Sequence, residues 1–287
     1  MTAARTVGSL YLAINAWFRP IFSLHRTKKS PSRIMSDAIP PASTVDGSVD
    51  PGEIARFSAL AAEWWNPNGK FKPLHRFNPV RVGFLRDRLA AHLGQDPLSD
   101  KPLAGLKLLD VGCGGGLLAE PLTRLGAEVT GIDASGPGLM AARLHAEQMN
   151  LAIDYRETTV EDLAASGARY DAVLNMEVIE HVADRPSFLA ASALALKPGG
   201  LMVVATLNRT AKAYALAVVG AEYILGWLPR GTHNWQKFVK PDELRAELAA
   251  AGLTVGETTG VVYSPLSDRW SLSRDASVNY MIVATKA

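Results

Sequence analysis

The sequence predicts an α/β protein with a parallel, doubly wound sheet, and three features support this fold class. From Leu106 onward, short apolar runs typical of buried strands alternate with longer segments of helical periodicity. The first of these strands leads into a glycine-rich loop. Of the 287 residues, 48% are hydrophobic and 20% are charged, which is the composition of a folded protein rather than a disordered one.

The chain is expected to begin with a non-globular head, 1–49. Residues 1–36 hold six basic residues and no acidic residue, and 36–50 are rich in proline and serine, as disordered linkers are. Arg19-Pro20 interrupts the apolar part of the head, which leaves too few residues to span a bilayer. Three interpretations stay open for the head: a transit-like segment, a surface anchor, or sequence upstream of a true start at Met35.

The body, 50–287, is expected to form one domain. It should open with a helical region, 51–92, that is broken near 66–69. Strands are then predicted at 107–111, 128–132, 153–158, 172–175, 201–205, 255–262 and 279–285. Helices are predicted at 117–125, 138–149, 187–196 and 241–251.

An insertion, 207–240, separates the fifth strand from the next helix, where about 2–6 residues would suffice. Its largely apolar run, 213–229, is too short and too interrupted to span a membrane. The run is predicted to be either a helical lid on the site or an interfacial helix that contacts lipid. Arg209, Lys212 and Arg230 flank it and would favour anionic headgroups.

Charge and cysteine content exclude two classes of function. The formal net charge is +2, but residues 37–287 hold 24 basic and 28 acidic residues, because six of the 30 basic residues lie in 1–36. A mildly acidic body is not expected to bind nucleic acid. The single cysteine, Cys113, excludes a disulfide framework and a cysteine-rich metal site.

The glycine loop carries the strongest functional signal. Asp110 ends the first strand, and Gly112, Gly114 and Gly116 follow at the start of a helix, where a ligand can approach the backbone closely. Asp133 ends the second strand, where a carboxylate suits the ribose hydroxyls of an adenosine. The dinucleotide fingerprint needs a glycine where this chain has leucine. An acid beside the loop would repel a pyrophosphate but suit the cationic S-adenosylmethionine, which favours a methyltransferase over an oxidoreductase.

Three further segments sharpen this interpretation: 71–81 (FKPLHRFNPVR), 176–181 (MEVIEH) and 218–225 (VVGAEYIL). With the loop, they resemble the class I S-adenosylmethionine-dependent methyltransferases and, within that class, the ubiquinone-biosynthesis O-methyltransferases. The resemblance runs from about residue 50 to the C-terminus. It implies a Rossmann-like, seven-stranded sheet with an antiparallel last strand. It also implies substrates that are polyprenylated catechols, both an early polyprenyl catechol and demethylubiquinol.

The resemblance also implies cofactor contacts from Arg81, Gly112, Asp133 and Met176, with Arg81 as a bidentate clamp on the methionine carboxylate. One acidic pair stays open between two roles. Glu161, with Asp162, follows the third strand and could accept from the adenine amino group or simply cap a helix.

Glu177, Glu180 and His181 follow the fourth strand, where active-site groups collect in open α/β sheets. In a helix, this spacing would bring all three to one face. A phenol titrates near pH ~10, so a metal or a base must favour the phenolate. The resemblance implies magnesium on all three residues, although imidazole is not a preferred magnesium ligand. His181 is alternatively a general base or a structural residue.

The sequence therefore predicts an O-methyltransferase of polyprenyl catechols that contacts the membrane surface through 213–229. Its expected location is the cytoplasmic face of the inner membrane, or the mitochondrial matrix if the head is a transit segment. Other quinone-biosynthesis proteins are expected partners. The alternatives are a methyltransferase for another small phenolic acceptor and a non-enzymatic lipid-binding protein on the same fold.

Overall fold

A mixed sheet of eight strands forms the centre of the computed structural model, which describes residues 63–216 and 234–287. The order of the strands across the sheet is β3-β2-β1-β4-β5-β8-β6-β7. The strands are β1 (Lys107–Val111), β2 (Glu128–Asp133), β3 (Asp154–Glu157), β4 (Tyr170–Met176), β5 (Leu196–Leu207), β6 (Leu253–Ser264), β7 (Arg269–Ser273) and β8 (Asn279–Lys286).

Helices connect the strands and cover both faces of the sheet. They are α1 (Lys72–His92), α2 (Ala119–Arg124), α3 (Gly136–Gln148), α4 (Val160–Ala165), α5 (Arg185–Leu194), α6 (Ala211–Ala213) and α7 (Pro241–Ala250). Proline and capping residues define the first turns of several helices. Proline occupies the first turn of α1, α3, α5 and α7, where its missing N–H costs nothing. Asp184 caps α5 by accepting from the Ser187 N–H.

The first five strands are parallel, and the strand order reverses beside β1. β2 pairs with one side of β1 and β4 pairs with the other. Ligands of such sheets bind at the carboxyl ends of the strands, in the crevice where the order reverses. The residues that follow β1, β2 and β4 therefore share one edge of the sheet.

The hydrophobic core has two main layers, one on each face of the sheet. Adjacent residues of β1 show the division: Leu108 packs in the layer that contains α1, and Leu109 packs in the layer that contains α5. Both side chains are fully buried. This alternation follows from the two-residue repeat of a strand and explains why buried strands of a doubly wound sheet are apolar throughout.

The predicted doubly wound α/β class is confirmed, but the implied count of seven strands is wrong. The additional strand, β7, pairs antiparallel with β6 and lies at the edge of the sheet. β8 is antiparallel to both of its neighbours, as the resemblance implies for the last strand. Few side chains of β7 are buried, which explains why its sequence has few apolar residues. Leu272 is exposed, and only Trp270 packs inward, against Phe77 of α1.

Three predicted segments lie wholly or partly outside the described residues: the head, 1–49, the first part of the helical region, 51–62, and the apolar run 213–229 after Leu216. Their assignments therefore stay predictions. Among the helices that the structure describes, none has the length and hydropathy to cross a bilayer.

Candidate functional site

The glycine loop joins β1 to α2 with a backbone that only glycine adopts easily. Gly112, Gly114 and Gly116 have φ angles of 69°, 52° and 84°. A Cβ at Gly112 would also lie 2.6 Å from Cγ2 of Val178, so a larger residue does not fit there. The loop lies at the carboxyl edge of the sheet, where Gly112 is exposed and Gly114 and Gly116 are buried.

Asp133 holds the loop in this shape. Its Oδ2 accepts from the Gly114 N–H at 2.8 Å, and its Oδ1 accepts from the Ser135 N–H at 2.7 Å. Burial raises the pKa of this carboxyl, while these backbone donors oppose the rise. A carboxylate has about four lone-pair positions, and the backbone donors do not fill all of them, which leaves acceptor capacity for a ribose hydroxyl.

Arg81 and Asp110 form a buried pair of opposite charges behind the loop. Arg81 is 3% exposed and Asp110 is 2% exposed. Arg81 donates through Nη2 to the Asn78 side chain at 3.0 Å, but its Nε has no partner, and Asp110 Oδ2 has none either. Buried charged groups rarely lack hydrogen bonds, so these two atoms fit a site that a polar ligand completes.

The electrostatics of this pair are consistent with a ligand of mixed charge. Burial raises the pKa of Asp110 to about 7, although the Arg81 charge opposes the rise. Burial also lowers the pKa of Arg81, which Glu177 and Asp110 partly restore. A cation beside Asp110 would therefore favour its ionised form, and an anion beside Arg81 would add the hydrogen bonds that it lacks.

Glu161 and Asp162, which follow β3, differ in their hydrogen bonds. The sequence leaves open whether they cap a helix or accept from an adenine amino group. Thr159 accepts from the Asp162 N–H at 3.1 Å and donates through its hydroxyl to the Asp162 carboxylate at 3.0 Å, which caps α4. Both carboxylate oxygens of Glu161 are buried and without partners. Capping thus belongs to Thr159 and Asp162, and Glu161 is the residue that suits an adenine amino group.

Two residues of the predicted site contribute packing. Met176 ends β4, is 6% exposed and lies in the hydrophobic layer that contains α1. Cys113 is buried within the loop, and burial raises the pKa of its thiol well above the usual range. A protonated, buried thiol is a poor nucleophile, so Cys113 contributes packing within the loop.

Glu177 does not belong to a helix, so the helical spacing expected for 177, 180 and 181 is wrong. Its φ angle is 61°, a left-handed conformation that is uncommon for a residue with a side chain. Its N–H continues the pairing of β4 by donating to the Ala205 carbonyl at 3.0 Å. The helical turn that follows is a short 3-10 helix, Ile179–His181. Such strain persists at functional sites where the surrounding structure enforces it.

The Glu177 and Glu180 carboxyl groups meet in a buried network. They share a hydrogen bond, and Glu180 Oε2 also accepts from the Thr206 hydroxyl at 2.7 Å. Burial and the charge of Glu180 raise the pKa of Glu177 to about 8, although Arg81 opposes the rise. Two carboxyl groups share a hydrogen bond only if one carries a proton. Glu177 Oε1 is left buried and without a partner.

The same geometry does not fit the magnesium site that the resemblance implies. Within the described ranges, no three His, Cys, Asp or Glu side chains are arranged to hold a metal ion. The Glu177 and Glu180 carboxyl groups meet, but no third such side chain of the described ranges joins them in an arrangement that could hold the ion.

Sequence reasoning missed three residues that organise the site. Asn78 positions Arg81 by accepting its N–H and donates to the Leu117 carbonyl at 2.6 Å. Thr206 orients Glu180 from the neighbouring strand. Trp64 packs against the glycine loop. Asn78 lies inside the 71–81 motif, which was its only signal, and the other two act across distances that spacing does not reveal.

Solved structures of low sequence identity share this fold. A methyltransferase of Aquifex aeolicus has a TM-score of 0.52 and 13% identity, and the match covers 83% of this chain and 99% of that one. A methyltransferase of Thermotoga maritima has a TM-score of 0.53 and 18% identity, and covers 82% and 99% of the two chains. These similarities concern the fold alone.

Closer relatives cover the same part of the chain. The model of the methyltransferase domain family matches residues 82–258. A ubiquinone biosynthesis O-methyltransferase of Chelativorans sp. is 60% identical over 239 residues, which are 83% of this chain and 94% of that protein. One of Parvibaculum lavamentivorans is 59% identical over 240 residues, which are 84% and 95% of the two chains. The chain thus belongs to the family of ubiquinone biosynthesis O-methyltransferases.

Proposed function

We propose that this protein transfers a methyl group from S-adenosylmethionine to a catechol hydroxyl of a polyprenylated ubiquinone precursor. The observation that carries the proposal is the placement of Asp110, Arg81 and Glu177. Asp110 and Glu177 both interact with Arg81, and each of the three groups has a buried polar atom without a partner. The names of the relatives support the pathway.

Each part of the cofactor has a complementary group in the proposed site. Asp110 would attract the ammonium and sulfonium charges, and Arg81 would bind the carboxylate. The free lone pairs of Asp133 suit the ribose, and Glu161 suits the adenine amino group. When bound, the cofactor supplies a methyl group on a cationic sulfur, which leaves as a neutral thioether.

The proposed acceptor side is the carboxyl pair Glu177–Glu180. A phenol becomes a good nucleophile when a base removes its proton, and the best base has a pKa close to the working pH. Glu177 has such a pKa, and its Oε1 is the atom free to accept the proton. Thr206 and Glu180 orient Glu177, and the remaining requirement is in-line placement of oxygen, methyl and sulfur.

Two earlier assignments remain as alternatives for this step. His181 could take the proton instead, and magnesium could still join the loaded enzyme. Chelation tests the magnesium alternative, because a metal-dependent reaction would lose turnover in excess chelator and regain it with added magnesium. The carboxyl-pair mechanism predicts no loss.

An assay with labelled S-adenosylmethionine and a panel of catechols tests the proposed function. We expect methylation of polyprenylated catechols, and slower methylation of catechols with short tails. Transfer to simple phenolic acceptors alone would favour a methyltransferase of different specificity. Specific lipid binding without transfer to any acceptor would favour a non-enzymatic protein.

Asp133→Ala should weaken cofactor affinity by about 1–3 kcal/mol, because the ribose hydroxyls lose a charged acceptor. The free protein should also melt at a lower temperature, since the Gly114 and Ser135 N–H groups lose their partner. Calorimetric titration and thermal melts measure the two effects. Unchanged affinity would contradict the ribose assignment, and affinity for NADH would favour an oxidoreductase.

We further propose that the insertion docks this enzyme on the membrane surface that holds its substrate. The described residues at its base support this. Tyr214 and Leu216 are exposed at the end of the α6 turn, and Trp235 contacts Tyr214 edge-on at 6.1 Å between ring centroids. Exposed tryptophan and tyrosine suit the boundary between lipid and water. Arg209 and Lys212 are ion-paired with Glu243 and Asp275, so apolar contact would dominate over headgroup attraction.

Leu216→Asp should weaken binding to anionic vesicles on the order of tenfold, because a leucine contributes about 1.5–3 kcal/mol when it leaves water. Leu98→Asp is the matched control, since Leu98 is equally exposed but precedes the amino end of β1, at the opposite edge of the sheet. Cosedimentation measures both variants. Equal binding by the two would contradict the docking surface.

A further inference from the structure

We propose that the indole N–H of Trp64 donates a hydrogen bond to the bound cofactor, so that the segment before α1 forms part of the cofactor site. This inference depends on the proposed use of S-adenosylmethionine. It adds a contact that neither the motifs nor the strand ends predict. Trp64 precedes the first motif, 71–81, and lies about 50 residues before the loop that it contacts.

Trp64 lies directly on the glycine loop. A Cβ at Gly114 would come within 2.7 Å of the indole atoms Cη2 and Cζ2, and a Cβ at Gly115 within 2.6 Å of Cγ and Cβ. The loop glycines therefore leave room for the indole, whose benzene ring lies over Gly114 and whose Cγ lies over Gly115.

The position of Trp64 is well defined by its neighbours. Its ring stacks on Phe71 with 3.9 Å between centroids, and it packs with Leu117. Its carbonyl oxygen lies 2.8 Å from Nε2 of His75, on α1. A side chain held from both its backbone and its ring loses little freedom when a ligand binds, so a contact from it is efficient.

The N–H itself lacks a partner. Trp64 is 8% exposed, and its Nε1 is inaccessible to water and without a hydrogen bond. A buried, unsatisfied donor is destabilising, and buried tryptophans normally have a hydrogen-bond partner. The adjacent Trp65 does so by donating to the Gly115 carbonyl at 2.9 Å. A phenylalanine would keep the stacking on Phe71 without leaving a donor unsatisfied, so the indole N–H is a group that a ligand can complete.

The proposed acceptor is an oxygen of the cofactor. The loop beside Trp64 faces the edge where Asp133 and Arg81 would bind ribose and carboxylate. The ribose and the carboxylate of the cofactor both carry oxygens that can accept a hydrogen bond from an N–H. The chemistry is the same for either oxygen, and a cofactor fragment can separate them: 5′-methylthioadenosine keeps the ribose and lacks the amino-acid carboxylate.

The test compares Trp64→Phe with Trp65→Phe in the full-length protein. Trp64→Phe removes an unsatisfied donor, so the free protein should melt at the same temperature or higher. Its affinity for S-adenosylhomocysteine should fall on the order of tenfold. Trp65→Phe removes a hydrogen bond already made in the free protein, so its main effect should be a lower melting temperature. Calorimetric titration and thermal melts measure both.

An indole resonance gives an independent readout. The ¹H–¹⁵N signal that Trp64→Phe removes should move downfield when S-adenosylhomocysteine binds to the wild type. If the variant loses affinity for 5′-methylthioadenosine as well, the acceptor is on the ribose, and if it does not, the acceptor is the carboxylate. Unchanged affinity of Trp64→Phe, or a stationary resonance, overturns the proposal. Failure of the wild type to bind either compound would instead overturn the proposed function.

Discussion

Glu177→Gln should lower methyl transfer to a catechol by about 10²–10⁴-fold, which is the usual contribution of a general base. Glutamine keeps the size of the side chain but cannot accept the phenolic proton. Single-turnover transfer with labelled cofactor measures the effect, and cofactor affinity should change far less. His181→Gln is the matched comparison, because a larger loss in that variant would assign the proton to the imidazole.

The pH dependence tests the same assignment. The pKa of Glu177 is raised to about 8, and only its ionised form accepts a proton. Turnover of the wild type should therefore rise with pH and level off above about pH 8. Glu177→Gln should lose this inflection. An inflection that persists unchanged in the variant would show that another group controls the rate.

The stability of the free protein should fall as pH rises, whereas turnover increases. A carboxyl whose pKa is raised by folding stabilises the native state while it is protonated, and that contribution is lost as pH rises through its folded pKa. For Glu177 this window ends at about pH 8. At pH ~9 we expect Glu177→Gln to melt above the wild type by about 5 °C, and near pH ~6 by much less. The variant would thus be more stable and inactive.

Arg81→Met should have the largest effect on cofactor binding and on stability together. It leaves Asp110 and Glu177 without the buried cation that both carboxyls interact with. Removing the cation that offsets these buried carboxyl charges should cost up to about 3–5 kcal/mol, so the melting temperature should fall by up to about 10 °C. Cofactor affinity should fall at least about 100-fold, since the carboxylate loses a charged, forked donor.

Arg88→Met is the matched control, because it removes an arginine from the same helix. Arg88 pairs with Glu257, but both side chains are exposed, and such pairs contribute about 0–1 kcal/mol. The loss of stability in Arg81→Met should also grow as pH rises. At lower pH the carboxyls of Asp110 and Glu177 can be protonated, which removes their unpaired charge. Similar effects of the two variants would contradict a special role for Arg81.

Signals of local sequence predicted the fold class and the cofactor side of the site. Short apolar runs located seven of the strands, and the glycine loop with Asp133 located the edge where they end. These features depend on neighbours a few residues apart. β7 was missed because an edge strand with one exposed face carries little apolar pattern; Trp270 is its only inward-packed aromatic residue.

The location of the acceptor side stays a prediction, but the helical shape expected for it is wrong. Residue spacing suggested a helix through 177–181, yet spacing carries no information about a left-handed φ at a glutamate. The environment that enforces this conformation comes from β5, through Ala205 and Thr206. The raised pKa of Glu177 follows from burial and from Glu180, which only the folded chain defines.

The strand order has a consequence for how this protein is made. β8 is the last strand along the chain, but it lies inside the sheet, between β5 and β6, and its Tyr280 donates to the Val239 carbonyl. While a ribosome still holds residues 279–286, β5 and β6 both expose an unpaired edge. Such edges invite pairing between nascent chains. We therefore expect the half of the sheet that carries β1–β4 to form first, and the other half to close only when residues 279–286 have left the ribosome.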